Sequence, residues 1–397
     1  MEDIQNLMIY RIAEKNMMNK EIKNILDNVE PQILSVAVIN LDTLASNYKK
    51  IRNEMASKTI VAAVVKANAY GFGAVKVSKR LYEEGCRYFF VATINEGIEI
   101  RNILKDDAEI FVLSGVLDNT ESLMIQEKLT PVLNNMYQVD LWVNFAKKIG
   151  QKLNAALHVD TGMARNGLPK EDIQTCKEKL KNNVELKFIM SHLACADTPA
   201  HDLNSVQLQR FHKETDEIFP NVNRSFSATN GIFLGKDYHF DIVRPGKSLY
   251  GFSIREDKVG SFEAVMDIFA RIVQINELNP GDTIGYGATF TAKEKMRTIT
   301  IGIGYADGFM RKFSGFGHGF LKNFKMPMVG RISMDYIVLD ATKVPEEFLK
   351  MGAWVALTQS PNHTLERWAL ELGTIPHEIS CRFGERVKKI YIGETDG

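Results

Sequence analysis

Lys66 directly follows an apolar run, TIVAAVV (59–65), and opens the stretch KANAYGFG. A lysine in that position is costly to bury unless it is neutral or paired. Other residues with chemical capacity close similar runs. HVDTGMARNG carries Asp160 and Arg165, and SHLACAD carries Ser191, His192 and Asp197. SATNG sets Thr229 and Gly231 before a helix, and VRPGKSLYG carries Arg244, Gly246 and Tyr250. Singly, each has an ordinary reading. A lone lysine is more often on the surface, a lone arginine is more often a structural ion-pair partner, and SATNG serves as a helix cap. Gathered at one mouth, they give a lysine, two arginines, a histidine and a Ser/Thr–Gly turn. That set suits a phosphate-bearing carbonyl compound. Helix starts and glycine-rich turns bind phosphate through free backbone N–H groups, and a desolvated lysine condenses with an aldehyde. Pyridoxal 5'-phosphate offers both groups and acts as an electron sink for a carbanion at Cα.

The gathering depends on the elements that carry these residues. Short runs rich in β-branched residues alternate with helical patterns: 59–65, 88–93, 109–114, 130–134, 154–160, 186–191, 225–229 and 240–243. Eight such units predict an α/β fold, a (β/α)8 TIM-like barrel of parallel strands with its active residues at the C-terminal strand ends. After about residue 265 the rhythm changes. FARIVQI, TITIGIGY, MPMVGRI, DYIVLDA and WVALTQ read as strands separated by Gly, Pro and Asp turns, and only 364–373 reads as a clear helix. The expected organisation is an N-terminal helical extension over 1–30, a cofactor-binding barrel over 31–265 and a mostly β domain over 266–397. The extension shows apolar residues at Ile4, Met8, Ile12, Ile22, Ile25 and Leu26, which fits a docking helix or an arm. The strand-like SVAVINL (35–41) is expected to pair with the first barrel unit.

Composition narrows the class. Basic and acidic residues balance at 49 each, which gives no electrostatic footprint for nucleic acid or an anionic membrane. The four cysteines, Cys86, Cys176, Cys195 and Cys381, form no CxxC pair, which argues against a zinc site or a disulfide framework. No metal is expected. No window of about 20 apolar residues is present, and the first residues are too charged for a signal peptide, so a cytoplasmic location is expected.

Several motifs resemble those of one family. AVVKANAYGFG resembles the cofactor-lysine motif of alanine racemases, fold-type III pyridoxal-phosphate enzymes. DTGMARNG, SHLACAD, RPGKSLYGFS, GYGATFTA, IGYADGF and VGRISMD match further motifs in the family's order, over roughly residues 33–393. The resemblance implies interconversion of L- and D-alanine by two bases on opposite faces of the substrate. Lys66 would hold the cofactor and act as one base; Tyr286, from the partner subunit of a homodimer, would be the other. His192 would orient Tyr286, with Arg244 the next link and facing the pyridine nitrogen. Tyr70, Thr229, Gly246, Lys247 and His377 fall at phosphate-contact positions. Arg165 matches the residue near the cofactor phenolate and substrate carboxylate, and Met334 and Asp335 match partner-chain contacts to that carboxylate. Tyr305, Asp197, Arg331 and Ile375 match positions lining the channel into the site. The physiological role implied is D-alanine supply for peptidoglycan.

Three positions depart from the family pattern. His158 stands where many members have a lysine, often carbamylated, so Arg165 needs another partner, either Asp160 or a bound anion. Phe72 replaces the usual histidine, a packing change. His377 replaces a tyrosine that narrows the substrate site, so the pocket is expected to be slightly roomier and to accept L-serine as well. Three alternatives stand beside the main reading. A racemase for serine or another amino acid differs by pocket contacts worth only about 1–3 kcal/mol. A fold-type III decarboxylase would lack GYGATF and SMD. A non-catalytic pyridoxal-phosphate binder would lack the β domain.

Overall fold

A computed structural model of the chain describes residues 20–253 and 260–394. The described residues divide into two compact units, one of 41–253, 260–263 and 393–394, the other of 20–40 and 264–392.

The first unit is the barrel. Its parallel strands are Ile60–Val61 and Ala63–Val64, Tyr88–Val91, Glu109–Val112, Leu129–Leu133, Leu153–His158, Val184–Met190, Arg224–Ala228 and Ile242–Arg244. The first two pieces are one strand interrupted at Ala62. One piece pairs with the last strand through Ile60–Ile242 and the other with the second strand through Ala63–Phe89, which closes the ring. The eight runs read from the sequence are thus the eight staves, each within two or three residues of its expected bounds. The interior is filled by Ala62, Val64, Phe90, Phe111, Val132, Ala156, Phe188, Met190 and Ile242. Phe111 meets Phe90 at 5.1 Å and Phe188 at 4.7 Å between ring centroids. The alanines at 62 and 156 make room for these rings, and each buried phenylalanine contributes about 1.5–3 kcal/mol. Helices follow most strands; the one after the seventh strand is a single turn, Thr229–Ile232.

The second unit is built on the strand Met266–Leu278, which pairs with Met296–Ile301, Trp354–Ala356 and Ser35–Asn40. Ser35–Asn40 also runs parallel to Lys388–Ile392. This corrects the expected pairing of 35–41 with the barrel: its alternation marks a buried strand but not which sheet receives it. The helix Leu365–Leu372 matches the expected one, with Gly373 closing it at φ 66°. A second helix, Pro376–Ser380, carries His377 and is too short to show periodicity in sequence. Strands His318–Leu321 and Phe324–Pro327 form a hairpin, so MPMVGRI is a strand only at its start.

Of the extension, Ile4, Met8 and Ile12 lie outside the described residues. Lys20–Asp27 is a helix that docks on the second unit's sheet, with Leu26 and Val29 buried against Phe269 and Trp354. Trp354 Nε1 donates to the Leu26 carbonyl at 2.9 Å, and Arg271 donates to the carbonyls of Val29 and Ile33, each at 3.0 Å.

Candidate active site

The first barrel strand ends in a turn that few sequences would adopt. Ala67, Asn68, Ala69 and Tyr70 all have positive φ, between 52° and 57°, and form a left-handed turn directly after Lys66. Such backbone costs about 1–2 kcal/mol per residue for L-amino acids. Side chains hold it in place. Glu96 accepts the Ala67 N–H on one carboxylate oxygen at 2.8 Å and the Ala92 N–H on the other at 2.7 Å. Asn68 Oδ1 accepts the Ala74 N–H at 2.7 Å. Glu96 also completes a capping box with Thr93 at the start of the helix Ile94–Arg101. The lysine therefore stands half-buried on a strained but braced turn. The sequence reading missed Glu96, although the T-x-x-E signature in ATINEG was legible.

The same turn folds Tyr70 back toward Gly246. A Cβ at Gly246 would lie 2.5 Å from Tyr70 Oη, so only glycine allows the hydroxyl to sit there. Tyr70 stacks on Tyr250 at 4.8 Å, and Tyr250 donates to the Val64 carbonyl at 2.9 Å. Phe72 is fully buried between Tyr250 and Phe252, at 4.9 and 5.9 Å, which agrees with a packing role. Thr229 Oγ1 accepts the Gly246 N–H at 3.1 Å and lies 3.1 Å from Ser248 Oγ. Thr229 opens the short helix after the seventh strand, and Lys247 opens the 3-10 turn after the eighth. The two starts, the Gly246 backbone and the Tyr70 hydroxyl thus converge at the barrel mouth.

Arg244 is buried at the end of the eighth strand. It donates to the Ser191 carbonyl at 2.7 Å and to Ser225 Oγ, and lies 3.5 Å from His192 Nδ1. Burial draws its guanidinium down to about 9, which leaves it protonated at neutral pH. Burial also holds His192 neutral, down to about 3, with Arg244, Arg165, His158 and Lys66 adding to the effect. Lys66, Arg165, His192 and Arg244 therefore share one electrostatic neighbourhood. Because an arginine only donates, His192 Nδ1 is the acceptor of that pair and the ring hydrogen belongs on Nε2.

His158, buried at the end of the fifth strand, places Nδ1 2.9 Å from Asn134 Oδ1. Asn134 Nδ2 already donates to the carbonyls of Leu113 and Val132 at 2.9 and 2.8 Å, so Oδ1 must accept and His158 Nδ1 must donate. Burial, with Arg244 next, lowers the His158 ring to about 4, so it is an uncharged group. Asp160 is not a ready partner for Arg165. Its carboxylate accepts the N–H groups of Gly162, Met163 and Ala164 at 2.9, 2.9 and 3.2 Å and so shapes the loop that carries Arg165. Arg165 itself is exposed at the mouth.

The second unit carries the other candidates. Tyr286 sits in a tight turn between the paired strands Thr283–Ile284 and Phe290–Thr291, flanked by Gly285 and Gly287 at φ 70° and 73°. It is 71% exposed. The Arg331 guanidinium lies against Gly287, where an added Cβ would be 3.0 Å away. Tyr286 and Tyr305 border an open groove of about 880 Å³ with Arg311, Lys312 and Arg382. Met334 and Ile375 are also exposed. Asp335 is ion-paired with Arg386 at 2.8 Å, a partner absent from the sequence reading. Among the described residues, no group of three or more His, Cys, Asp or Glu could hold a metal, and no helix is long and apolar enough to cross a membrane.

A parallel barrel with a braced lysine at its mouth, followed by a β unit that presents an exposed tyrosine on a built turn, is a two-domain enzyme architecture with an amine and a phenol as its candidate reactive groups. Family models described as "Alanine racemase, N-terminal domain" and "Alanine racemase, C-terminal domain" match residues 39–254 and 265–391. The chain is 39% identical to the alanine racemase of Brucella abortus over 91% of its own length and 94% of that protein. It is 40% identical to "Alanine racemase, catabolic" of Agrobacterium fabrum over 89% of its own length and 91% of that protein. The crystal structure of the Bartonella henselae alanine racemase "with covalently bound pyridoxal phosphate" superposes with a TM-score of 0.85 at 36% identity, covering 90% of this chain and 99% of that one. The chain belongs to the alanine racemase family.

Proposed function

We propose that this chain racemises alanine with Lys66 and Tyr286 as its two bases, holding pyridoxal 5'-phosphate at the barrel mouth. The observation that carries the assignment is the barrel mouth, where Lys66 on its braced turn, the Arg244–His192 contact at 3.5 Å and the cradle of Gly246, Thr229 and Tyr70 close the barrel strands. The mouth suits the cofactor: the Gly246 backbone, left bare for the Tyr70 hydroxyl, together with Thr229 and Lys247, offers donors for a phosphate. His377, on its own short helix, is the further phosphate contact we assign. When bound, pyridoxal phosphate supplies an aldehyde for the amine and a conjugated ring that takes up the electron pair left at Cα.

The chain's own residues do the rest. Lys66 exchanges a proton at one face of Cα, and Tyr286 at the other. A phenol titrates near pH 10 and needs help to act as a base. His192 offers it, because an Nε2–H fixed by Arg244 at Nδ1 is a donor for a phenolate oxygen. Arg244 does not give up its proton, so a pyridine nitrogen set against it would remain an unprotonated acceptor. Arg165 binds the substrate carboxylate, with Tyr305, Met334 and Asp335 contributed by the partner subunit. Tyr286, Tyr305 and Met334 are exposed on their own unit, and large exposed apolar side chains mark contact surfaces. That supports a homodimer with composite sites. D-Alanine supply for peptidoglycan in the cytoplasm is the role we assign.

Mixing Lys66→Ala with Tyr286→Phe tests the shared site. Random subunit exchange makes half the dimers hybrids, each with one intact site, so about one quarter of wild-type activity returns. No recovery after demonstrated exchange would contradict it.

A further inference from the structure

Arg386 lies in the C-terminal segment of the second unit and makes two ion pairs at once. Its Nε is 2.9 Å from Asp307 Oδ1 and its Nη2 is 2.8 Å from Asp335 Oδ1. The two carboxylates belong to different loops. Asp307 is in the turn Tyr305–Asp307, where its other oxygen accepts the Gly304 N–H at 2.7 Å. Asp335 follows Met334 in the loop RISMD.

The two loops are fitted to each other along their backbones. The Tyr305 N–H donates to the Ser333 carbonyl at 3.1 Å, and the Ala306 N–H to the Met334 carbonyl at 3.0 Å. Gly304 is pressed so closely on this strip that a Cβ would lie 2.3 Å from the Met334 oxygen. The Gly308 Cα faces the Arg382 carbonyl, where a Cβ would be 2.2 Å away. Tyr305, Met334 and the segment carrying Arg386 are therefore one interlocked assembly with a single guanidinium across its open side.

The exposure of Arg386 and Asp307 separates positioning from stability. The Asp307 side chain is only 4% exposed, whereas that of Arg386 is 54% exposed. A half-exposed arginine adds little to global stability. Its planar fork, however, fixes the direction of two carboxylates at once, which a lysine ammonium cannot do.

We infer that Arg386 is a positioning residue: its bridge between Asp307 and Asp335 sets the register in which Tyr305 and Met334 meet the substrate. This rests on the proposed racemase site, in which those two residues contact substrate rather than exchange its proton. Loss of the bridge acts on substrate binding, and the turn carrying Tyr286, which meets the 331–335 loop only at Arg331 and is held by its own strand pair, keeps its chemistry.

The test compares Arg386→Met and Arg386→Lys with wild type by alanine racemisation kinetics and by amide hydrogen exchange over residues 304–308 and 333–336. Arg386→Met is expected to exchange faster in both loops, with KM for alanine raised about 10-fold and kcat within about twofold, as for lost binding that is equal in ground and transition states. Arg386→Lys, which keeps the charge without the fork, is expected to fall between the two. Faster exchange with an unchanged KM would overturn the positioning role. Unchanged exchange would overturn the bridge itself. A wild-type protein that racemises nothing would instead remove the racemase reading, and this inference with it.

Discussion

The strained turn after Lys66 predicts that Glu96 governs activity without touching substrate. Four consecutive residues in the left-handed region carry about 4–8 kcal/mol of conformational cost. Glu96 opposes this with bonds of 2.8 and 2.7 Å from the Ala67 and Ala92 N–H groups. Hydrogen bonds to a charged group contribute about 1.5–3 kcal/mol each, and with this carboxylate only half-buried the lower end applies. Glu96→Ala should therefore destabilise the barrel by about 3 kcal/mol, which lowers the melting temperature of a unit this size by about 6–12 °C. The functional effect should be larger. With the brace gone the turn relaxes, and a shift of about 1 Å in a reacting group costs up to ~100-fold in rate. Glu96→Gln should fall between, because its amide keeps one acceptor but turns a donor toward the other N–H. Chiral analysis of alanine turnover at a temperature where each variant is folded, with a melting curve for each, measures both effects. Wild-type kcat/KM in a folded Glu96→Ala protein would refute the claim that the turn needs its brace.

Further outcomes follow from the same geometry. Gly246→Ala should weaken pyridoxal-phosphate retention by at least about 10-fold, because its Cβ would meet Tyr70 Oη at 2.5 Å; adding Tyr70→Phe should restore part of it, and equilibrium dialysis reads both. The buried pair His318 and His363, with ring centroids 4.1 Å apart, predicts acid lability. Burial lowers them to about 4 and about 3, so the unfolded chain takes up protons first as pH falls below about 6.5. Stability is then full above that pH and declines toward pH 4, by about 2 kcal/mol per histidine at pH 5. Urea midpoints at pH 7 and 5 should show the drop, reduced in His318→Phe; equal drops in both proteins would count against it. Finally, His377→Tyr should lower the serine-to-alanine activity ratio, and an unchanged ratio would show that His377 does not widen the pocket.

Much of this was legible in the sequence for local reasons. The eight staves announce themselves as β-branched runs, because parallel strands buried on both faces need continuous apolar stretches. Lys66, Arg165, His192, Thr229 and Arg244 stood out because each ends such a run. What escaped was set by distant partners. SVAVINL reads as a strand, but its pairing with Lys388–Ile392 is made across the whole chain. Glu96 Oε2 serves its own cap, whereas Oε1 accepts from Ala67, 29 residues away. Arg386 lies 51 residues from Asp335, and no spacing rule joins them. The left-handed turn was hidden for another reason: of its four residues only Asn68 signals positive φ, and Ala67, Ala69 and Tyr70 stand where glycine or asparagine would have extended that signal. The tautomers of His158 and His192 depend on which partner can only donate or must accept, and this became readable once Asn134 and Arg244 were in place.

Chiral analysis of cofactor-loaded protein given L-alanine, with L-serine in parallel and Lys66→Ala as control, decides whether this chain is a lysine-dependent alanine racemase. D-Alanine formation is expected to depend on Lys66 and to outpace D-serine formation. No D-alanine from the loaded wild-type protein, or an undiminished rate in Lys66→Ala, would contradict it.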